Sequence, residues 1–570
     1  MNNELLNELQ AWEHGLGSAS DNNYVLASTF IAQPETMNVA NEQLQAKLLE
    51  RNFHLSILAK NQGGTRTSWL YAWLLSSLTT RRTISAMPAS LYSHGPLNLL
   101  ELEGNKQQKL LISELVKGGR QVCFAMAEPN TGSNLLAIDC RAEQTESGWL
   151  ITGTKGIIGL PANASHAVIL AKTAVAGPAS LSFFLVDIQD QTKVARTYFA
   201  SKGMRDQLFG QLTFNQFSVA NDALIGQQGF AFESALKVQQ YVKFMSTAAS
   251  HGGCHNLLRQ VSVYAQERHL TEHAHVRFLL AKSMAALYTL EATVFVSASL
   301  QSLPKKQFSI ATSVCKSIAI AVADEVMATV KMLLCSNGVI DVKPIYAIAT
   351  KIIDDLEMVR SIDTNPVTNL NNIVAQLSAL QFKTEQRKEE DKLIHFNDII
   401  TLFDVECTLL SDTPTTASVT NVDGDYLLTA ITVLPEQLFH LVEDKYLAKF
   451  TAIAQCLSAA LKAFWQKLAS LNDKSTHARK SSADIKSVAR LELASEFCQI
   501  YSASAMLLLW VANYKRFSQL MDVDVFLWLL AARVSPETNL VSDCDDAYSF
   551  LAMNIKKSQS LSWLSVNLEQ

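Results

Sequence analysis

The order in which the chain changes texture constrains its fold more than any single motif: helical periodicity, a block of short strands, then helical periodicity again. Before the Gly118–Gly119 pair, Leu70, Trp73 and Leu74 fall at i, i+3, i+4, and Leu99, Leu100, Leu110, Leu111 and Leu115 continue the apolar pattern. After it come Gln121–Met126, Gly148–Ile151, Ala167–Ala171, Leu181–Val186 and Leu212–Val219, rich in Val, Ile, Phe and Thr and punctuated by Gly, Pro, Asn and Asp. That spacing predicts an antiparallel sheet or small barrel. From Gly229 the long period returns over Ala231–Arg268, Ala274–Leu300 and Ser309–Leu334. No G-x-G-x-x-G follows a strand and strands do not alternate with helices, which argues against a Rossmann fold. The charged run Lys383–Lys392 reads as a solvated helix face or as a linker between domains. Asn421–Asp425 reads as a hairpin turn, because Asp-Gly tolerates positive φ.

Bulk properties narrow the function classes. A chain of 570 residues exceeds one core and implies three or four domains. With net charge −5 and no Lys/Arg run, a nucleic-acid partner is not expected. Nine scattered cysteines without a CxxC pair read as reduced thiols. The N-terminus lacks a basic region followed by an apolar run, so no secretory signal is expected. Ser68–Leu78 and Ser502–Asn513, the longest apolar stretches, fall short of the roughly 20 residues that span a bilayer. A cytoplasmic, soluble protein without a transmembrane segment follows as the expectation.

The stretch Gln121–Pro161, QVCFAMAEPNTGSNLLAID…GWLITGTKGIIGLP, resembles the acyl-CoA dehydrogenase signature. A strand leads to an acidic-Pro turn, a Gly-Ser pair and a Gly-Thr-Lys hairpin. Upstream, Gly95–Gly119 is similar to the family's Gly, Gln-Lys and Leu-x-x-Gly segment. Downstream, Lys202–Arg205, Val219–Gly226 and Gly229-Phe230 resemble its later markers. The resemblance covers about Glu50 to Val374. The remainder is similar, more weakly, to the extra helical domain of long bacterial fatty-acid-oxidising members. It implies an α+β, mainly α fold: an N-terminal helical domain (1–120), a central β-barrel-like domain (121–226), a C-terminal helical bundle (227–380) and an additional helical domain (381–570).

The resemblance also implies chemistry: FAD as cofactor, an acyl-CoA substrate, an acceptor flavoprotein for the electrons and a homo-oligomer. By position, Met126, Ala127, Gly132, Ser133, Ile157, Ile158 and Gly159 would face the cofactor, with Ser133 also near the substrate. A glycine lets backbone approach a cofactor closely, and a serine hydroxyl can donate to it. Several of these depart from the family pattern. Ala127 stands where Thr is usual, Asn134 where Asp follows Gly-Ser, and Ile157 and Gly159 at the aromatic and hydroxyl positions. Arg268 would reach a cofactor pyrophosphate of the partner subunit, its alternative role being a surface arginine at a helix end, and the segment after it is shortened. Lys243 takes the place of the family's bundle-helix Arg and would contact the substrate. The family's catalytic Glu falls near Ile362; sliding by one residue makes Asp363 the candidate base, its alternative role being a turn residue before Thr-Asn-Pro.

Other patterns are set aside. His269-Leu-Thr-Glu-His273 matches a zinc-peptidase pattern, and His251, Cys254 and His255 cluster at helical spacing. Both sit within the family's bundle helices, and no metal is expected. The resulting expectation is a FAD-dependent enzyme introducing an α,β double bond into an acyl-CoA, as in fatty-acid β-oxidation. Two alternatives remain open: a non-catalytic binding or assembly subunit, and a flavoprotein acting on a non-CoA substrate.

Overall fold

The computed structural model describes residues 3–16, 42–160, 164–190, 192–205, 207–301, 303, 307–338, 344–405, 418–421, 424–477, 487–534, 543–557 and 562–563. Five helices come first: α1 (Asn3–Leu16), α2 (Glu42–Glu50), α3 (Trp69–Thr80), α4 (Pro88–Glu103) and α5 (Lys106–Lys117). Every residue of α3 is buried. A helix apolar on all sides has no face to give to water, so it sits in the middle of a core. Ser68 caps it by accepting from the Tyr71 amide. Helix α1 is pinned to its end by a fully buried Glu13–Arg82 ion pair at 2.6 Å and by Trp12 Nε1 donating to Thr79 Oγ1.

Eight strands follow: β1 (Gln121–Ala125), β2 (Arg141–Gln144), β3 (Gly148–Gly159), β4 (Ala164–Lys172), β5 (Leu181–Asp187), β6 (Val194–Phe199), β7 (Phe209–Ala220) and β8 (Leu224–Ile225). They form one sheet in the order β6-β7-β3-β2-β4-β5-β8, with β1 pairing β4 in parallel. The other ladders are antiparallel apart from a single β2–β4 contact. Each of the five expected runs lies in a strand. Strands β2, β6 and β8 were not foreseen: β2 is polar but for Ala142, β6 lies largely toward solvent, and β8 is two residues long.

The bundle comprises α6 (Ala231–Glu267), α7 (Ala274–Gln301), α8 (Phe308–Leu334) and α9 (Pro344–Ser361), the first three bounded almost as the periodicity predicts. Then come α10 (Pro366–Glu385), α11 (Glu389–Leu402), α12 (Tyr426–Gln437), α13 (Asp444–His477), α14 (Val488–Ala512), α15 (Tyr514–Leu520), α16 (Val523–Val534) and α17 (Asp545–Lys556). The charged run at 383–392 spans the junction of α10 and α11. The expected hairpin at 421–425 is corrected within the described residues: Asp425 caps α12, its carboxylate accepting from the Leu428 amide. A single apolar core extends from Leu5 and α3 through the bundle to Trp510, Phe526 and Trp563.

Among the described residues, two helices are long and apolar enough to cross a membrane by length and composition, although no uninterrupted apolar run of the sequence is. The apolar window of α7 is 89% buried inside the protein, and lone polar residues such as Glu291 break its run. That of α13 is 28% buried, its apolar face (Phe450, Leu457, Leu461, Phe464 and Leu468) turned inward. All described cysteines are free thiols.

Candidate active site

The turn after β1 is built around a buried carboxylate. Glu128 accepts from the amides of Asp139 (2.7 Å) and Cys140 (3.0 Å) and from Lys155 Nζ (2.7 Å). Lys155 also donates to the Met126 carbonyl, and the Ala127 carbonyl accepts from the Gly156 amide. One ion pair thus ties the Met126–Ser133 turn to the end of β3, where Ile157–Gly159 lie. Burial draws the Lys155 ammonium below its ordinary range, and Glu128 opposes that.

Gly132 adopts φ +54°, and a Cβ there would meet nothing within 4 Å, so its backbone faces open space. Asn134 is used locally, its side chain accepting from the Leu136 amide. In β3 a bulge between Gly156 and Ile158 leaves Ile157 at φ +58° and 65% exposed, an unusual backbone for a β-branched residue. Ile158 turns inward. Over Gly159 lies the ring of Tyr92, from α4: a Cβ there would sit 2.0 Å from Tyr92 Cε1.

Ser133 is the link to the bundle. Its hydroxyl accepts from Asn365 Nδ2 at 2.9 Å, which leaves the hydroxyl proton free to donate elsewhere. Asn365 caps α10, accepting from the Thr368 amide, and Thr364 Oγ1 donates to Gln239 Oε1 on α6 at 3.0 Å. Asp363, the expected base, adopts φ +69° in the α9–α10 connection. Its Oδ2 is buried without a hydrogen-bond partner. The carboxylate faces Lys316 of α8 and Lys243 of α6. Burial pushes the Asp363 carboxyl up, and the two ammonium groups pull it back. Lys243, one helical turn past Gln239, is 4% exposed, and burial followed by the Lys316 charge brings its amine down to about 7. Lys316 is 1% exposed, donates to Val359 O (2.9 Å) and Ser246 Oγ (3.2 Å), and is also lowered by burial.

The Ser133–Asn365 and Thr364–Gln239 bonds therefore link Gly132–Ser133 to the Asp363 loop and to the part of α6 that carries Lys243, and Ile157–Gly159 are tied to the Met126–Ser133 turn. Arg268 does not join them within one chain. It caps the far end of α6, roughly 37 Å along the helix from Lys243 at about 1.5 Å per residue, and packs over the Tyr264 ring. Sequence reasoning missed Lys316, Tyr92, Gln239 and the role of Asn365. A lone lysine inside the apolar run Ser309–Val322 was the available signal for the first of these. His269 and His273 flank a 3-10 turn rather than sharing a helix face, and among the described residues no cluster of three metal-ligating side chains occurs.

A family model for the acyl-CoA dehydrogenase middle domain matches residues 123–217. A 2-methylacyl-CoA dehydrogenase of Solanum tuberosum is 25% identical over 197 residues, 34% of this chain and 48% of that protein. The chain thus spans about half the length of that relative. The caffeyl-CoA reductase–Etf complex subunit CarC of Acetobacterium woodii is 24% identical over 251 residues, 42% of this chain and 66% of that protein. Among solved structures, an acyl-CoA dehydrogenase complexed with FAD from Bacillus anthracis superposes with TM-score 0.67 at 14% identity, covering 98% of this chain and 87% of the other. The last likeness extends past the bundle, so the C-terminal helices share that fold as well. Residues 123–217 thus match the middle domain of the acyl-CoA dehydrogenases, and the chain as a whole shares the fold of the FAD-complexed structure.

Proposed function

We propose that the protein is a FAD-dependent oxidoreductase that removes hydrogen from the carbons next to an acyl-CoA thioester carbonyl, handing the electrons to an acceptor flavoprotein. The observation that carries this reading is the Ser133–Asn365 hydrogen bond, which joins the Gly-Ser turn to the loop bearing Asp363; the Thr364–Gln239 bond ties that loop in turn to α6, which bears Lys243. The donor set fits a flavin: an open glycine cradle at Gly132, a hydroxyl proton free at Ser133, and backbone of Met126 and Ala127 held beside them. Flavin in that position would supply hydride acceptance. The chain's own part is to seat the cofactor against Gly132–Ser133, to exclude water, and to take a proton at Asp363 or Lys243. Arg268 would serve a second copy, which accords with the proposed homo-oligomer. Fatty-acid β-oxidation is the proposed setting and the cytoplasm the proposed location.

Two features favour a second reading, a non-catalytic subunit. Tyr92 covers Gly159, and the Asp363 carboxylate points toward two lysines rather than outward. A visible absorption spectrum of the purified protein, before and after added FAD, separates the two. A flavin spectrum that bleaches with an acyl-CoA supports the dehydrogenase. A protein that stays colourless after FAD is added refutes it, and a flavin bleached only by other substrates refutes the CoA ester.

A further inference from the structure

The charge count inside the bundle is unbalanced. Lys243, Lys316 and Asp363 face one another in the interior, two amines against one carboxylate. A buried ammonium without a counter-charge costs several kcal/mol, and the least costly relief is for one amine to shed its proton. Hydrogen bonding decides which. Lys316 donates to Val359 O and Ser246 Oγ, contacts that favour the ammonium. Lys243 has no hydrogen-bond acceptor among the described residues, and its amine titrates near 7. The Asp363 carboxylate faces both lysines, with its Oδ2 buried and without a hydrogen-bond partner. Lys243 sits one turn along α6 from Gln239, which accepts from Thr364, and the adjacent Asn365 donates to Ser133.

We infer that Lys243, rather than Asp363, takes the proton from the carbon beside the thioester carbonyl. In this step the Cα–H bond breaks, its proton joins the Lys243 amine to give the ammonium, and the electron pair passes into the enolate of the thioester. Lys316 and Asp363 are positioning residues that set the charge of Lys243 from opposite sides. A neutral amine titrating near the working pH can take a proton, whereas the Asp363 carboxylate serves as the counter-charge of Lys316. The inference rests on the acyl-CoA reading above.

The test is exchange of the α-protons of hexanoyl-CoA and palmitoyl-CoA in D2O, followed by proton NMR across a pH series, beside flavin bleaching of the same samples. Exchange is expected to rise through an acid limb near pH 7. Lys243→Met and Lys243→Arg should each lose about 100-fold or more, with circular dichroism and flavin content unchanged. Removing the like charge in Lys316→Met, or in Lys316→Gln should Met disturb folding, should move the limb to higher pH. Asp363→Asn should slow exchange and move the limb to lower pH without abolishing it. A merely structural Lys243 moves neither limb. Exchange that survives in both Lys243 variants, or vanishes in Asp363→Asn, overturns the inference, as does a wild-type protein that exchanges neither thioester. Bleaching without Lys243-dependent exchange sinks the inference and leaves the dehydrogenase standing; exchange without bleaching does the reverse.

Discussion

Gly159→Thr, which restores a hydroxyl at the position where the family usually carries one, is expected to damage this protein. A Cβ at 159 would lie 2.0, 2.5 and 2.6 Å from Cε1, Cδ1 and Cζ of Tyr92, against roughly 3.5–4.0 Å for carbon atoms in contact. Those three atoms belong to one rigid ring, so relief requires Tyr92 to leave its seat or β3 to shift. Overpacking of this kind costs about 1–3 kcal/mol, and losing the 3.4 Å Tyr92 Oη bond to Leu208 O adds under about 1 kcal/mol. Removing a glycine from the unfolded chain returns about 0.5–1 kcal/mol, which leaves a net loss of about 2 kcal/mol. Urea unfolding followed by tryptophan fluorescence reads that loss. In a Tyr92→Ala background the same substitution has room, so a double-mutant cycle should give a coupling energy of about 2 kcal/mol. A Gly159→Thr protein within about 0.5 kcal/mol of the parent, or an equal cost with and without Tyr92, would refute the packing argument. The glycine would then be a lost hydroxyl and nothing more.

Other expectations follow from the same coordinates. Ser133→Ala removes the acceptor for Asn365 and the free hydroxyl; flavin affinity should fall by about tenfold, as one hydrogen bond implies, while the melting temperature barely moves. Trp563→Ala should cost about 3–5 kcal/mol in urea unfolding, since the ring is 2% exposed, packs edge-on against Tyr288 and Phe526 and at a tilt against Phe517, and donates to Tyr288 O. His94, fully buried with both ring nitrogens unpartnered, titrates near 3 because burial disfavours its cation. Below about 6.5 the unfolded chain binds a proton that the native protein refuses. Stability should therefore fall by about 1.4 kcal/mol per pH unit toward pH 3 from this group, and His94→Leu should flatten that part of the profile.

The architecture was largely legible because periodicity is a local property. Helix α6 was expected over Ala231–Arg268 and spans Ala231–Glu267, since an interior-facing stripe recurs wherever a helix packs. The sequence misled where a residue type serves two structures: Asp-Gly suits a hairpin, but Asp425 also caps a helix, and the apolar run after it belongs to α12. The Gly-Ser turn was readable because backbone conformation and motif coincide there. The lysine cluster was not. Lys243, Lys316 and Asp363 come from three separate elements, and no spacing in one dimension reports that they meet or that their charges fail to cancel. Tyr92 escaped notice for the same reason, 67 residues before the glycine whose absent side chain it replaces.

The Glu128–Lys155 pair offers the sharpest check on whether the altered turn still works as a cofactor platform. Its two ends hold both segments assigned to the flavin: Glu128 fixes the loop leading to Gly132–Ser133, and Lys155 precedes the bulge at Ile157. Lys155 is fully buried and Glu128 is 7% exposed, so solvent can replace neither partner cheaply. Lys155→Met leaves a buried carboxylate with only two backbone donors, a loss of about 3–5 kcal/mol. If the pair served packing alone, flavin affinity would change only as far as the folded fraction changes. If it sets the spacing between the two segments, affinity should collapse even at temperatures where circular dichroism shows the chain fully folded, because the Met126 carbonyl loses its tether at the same time. Glu128→Gln is the milder probe, keeping a side-chain oxygen to accept from the amide of Asp139 or Cys140 while removing the charge that opposes deprotonation of Lys155. It should retain the fold and lose part of the affinity, more so as pH rises and Lys155 gives up its proton. Flavin titrations of both variants against their unfolding curves decide the matter: parallel losses confine the pair to stability, and affinity lost ahead of stability makes it the strut of the cofactor site.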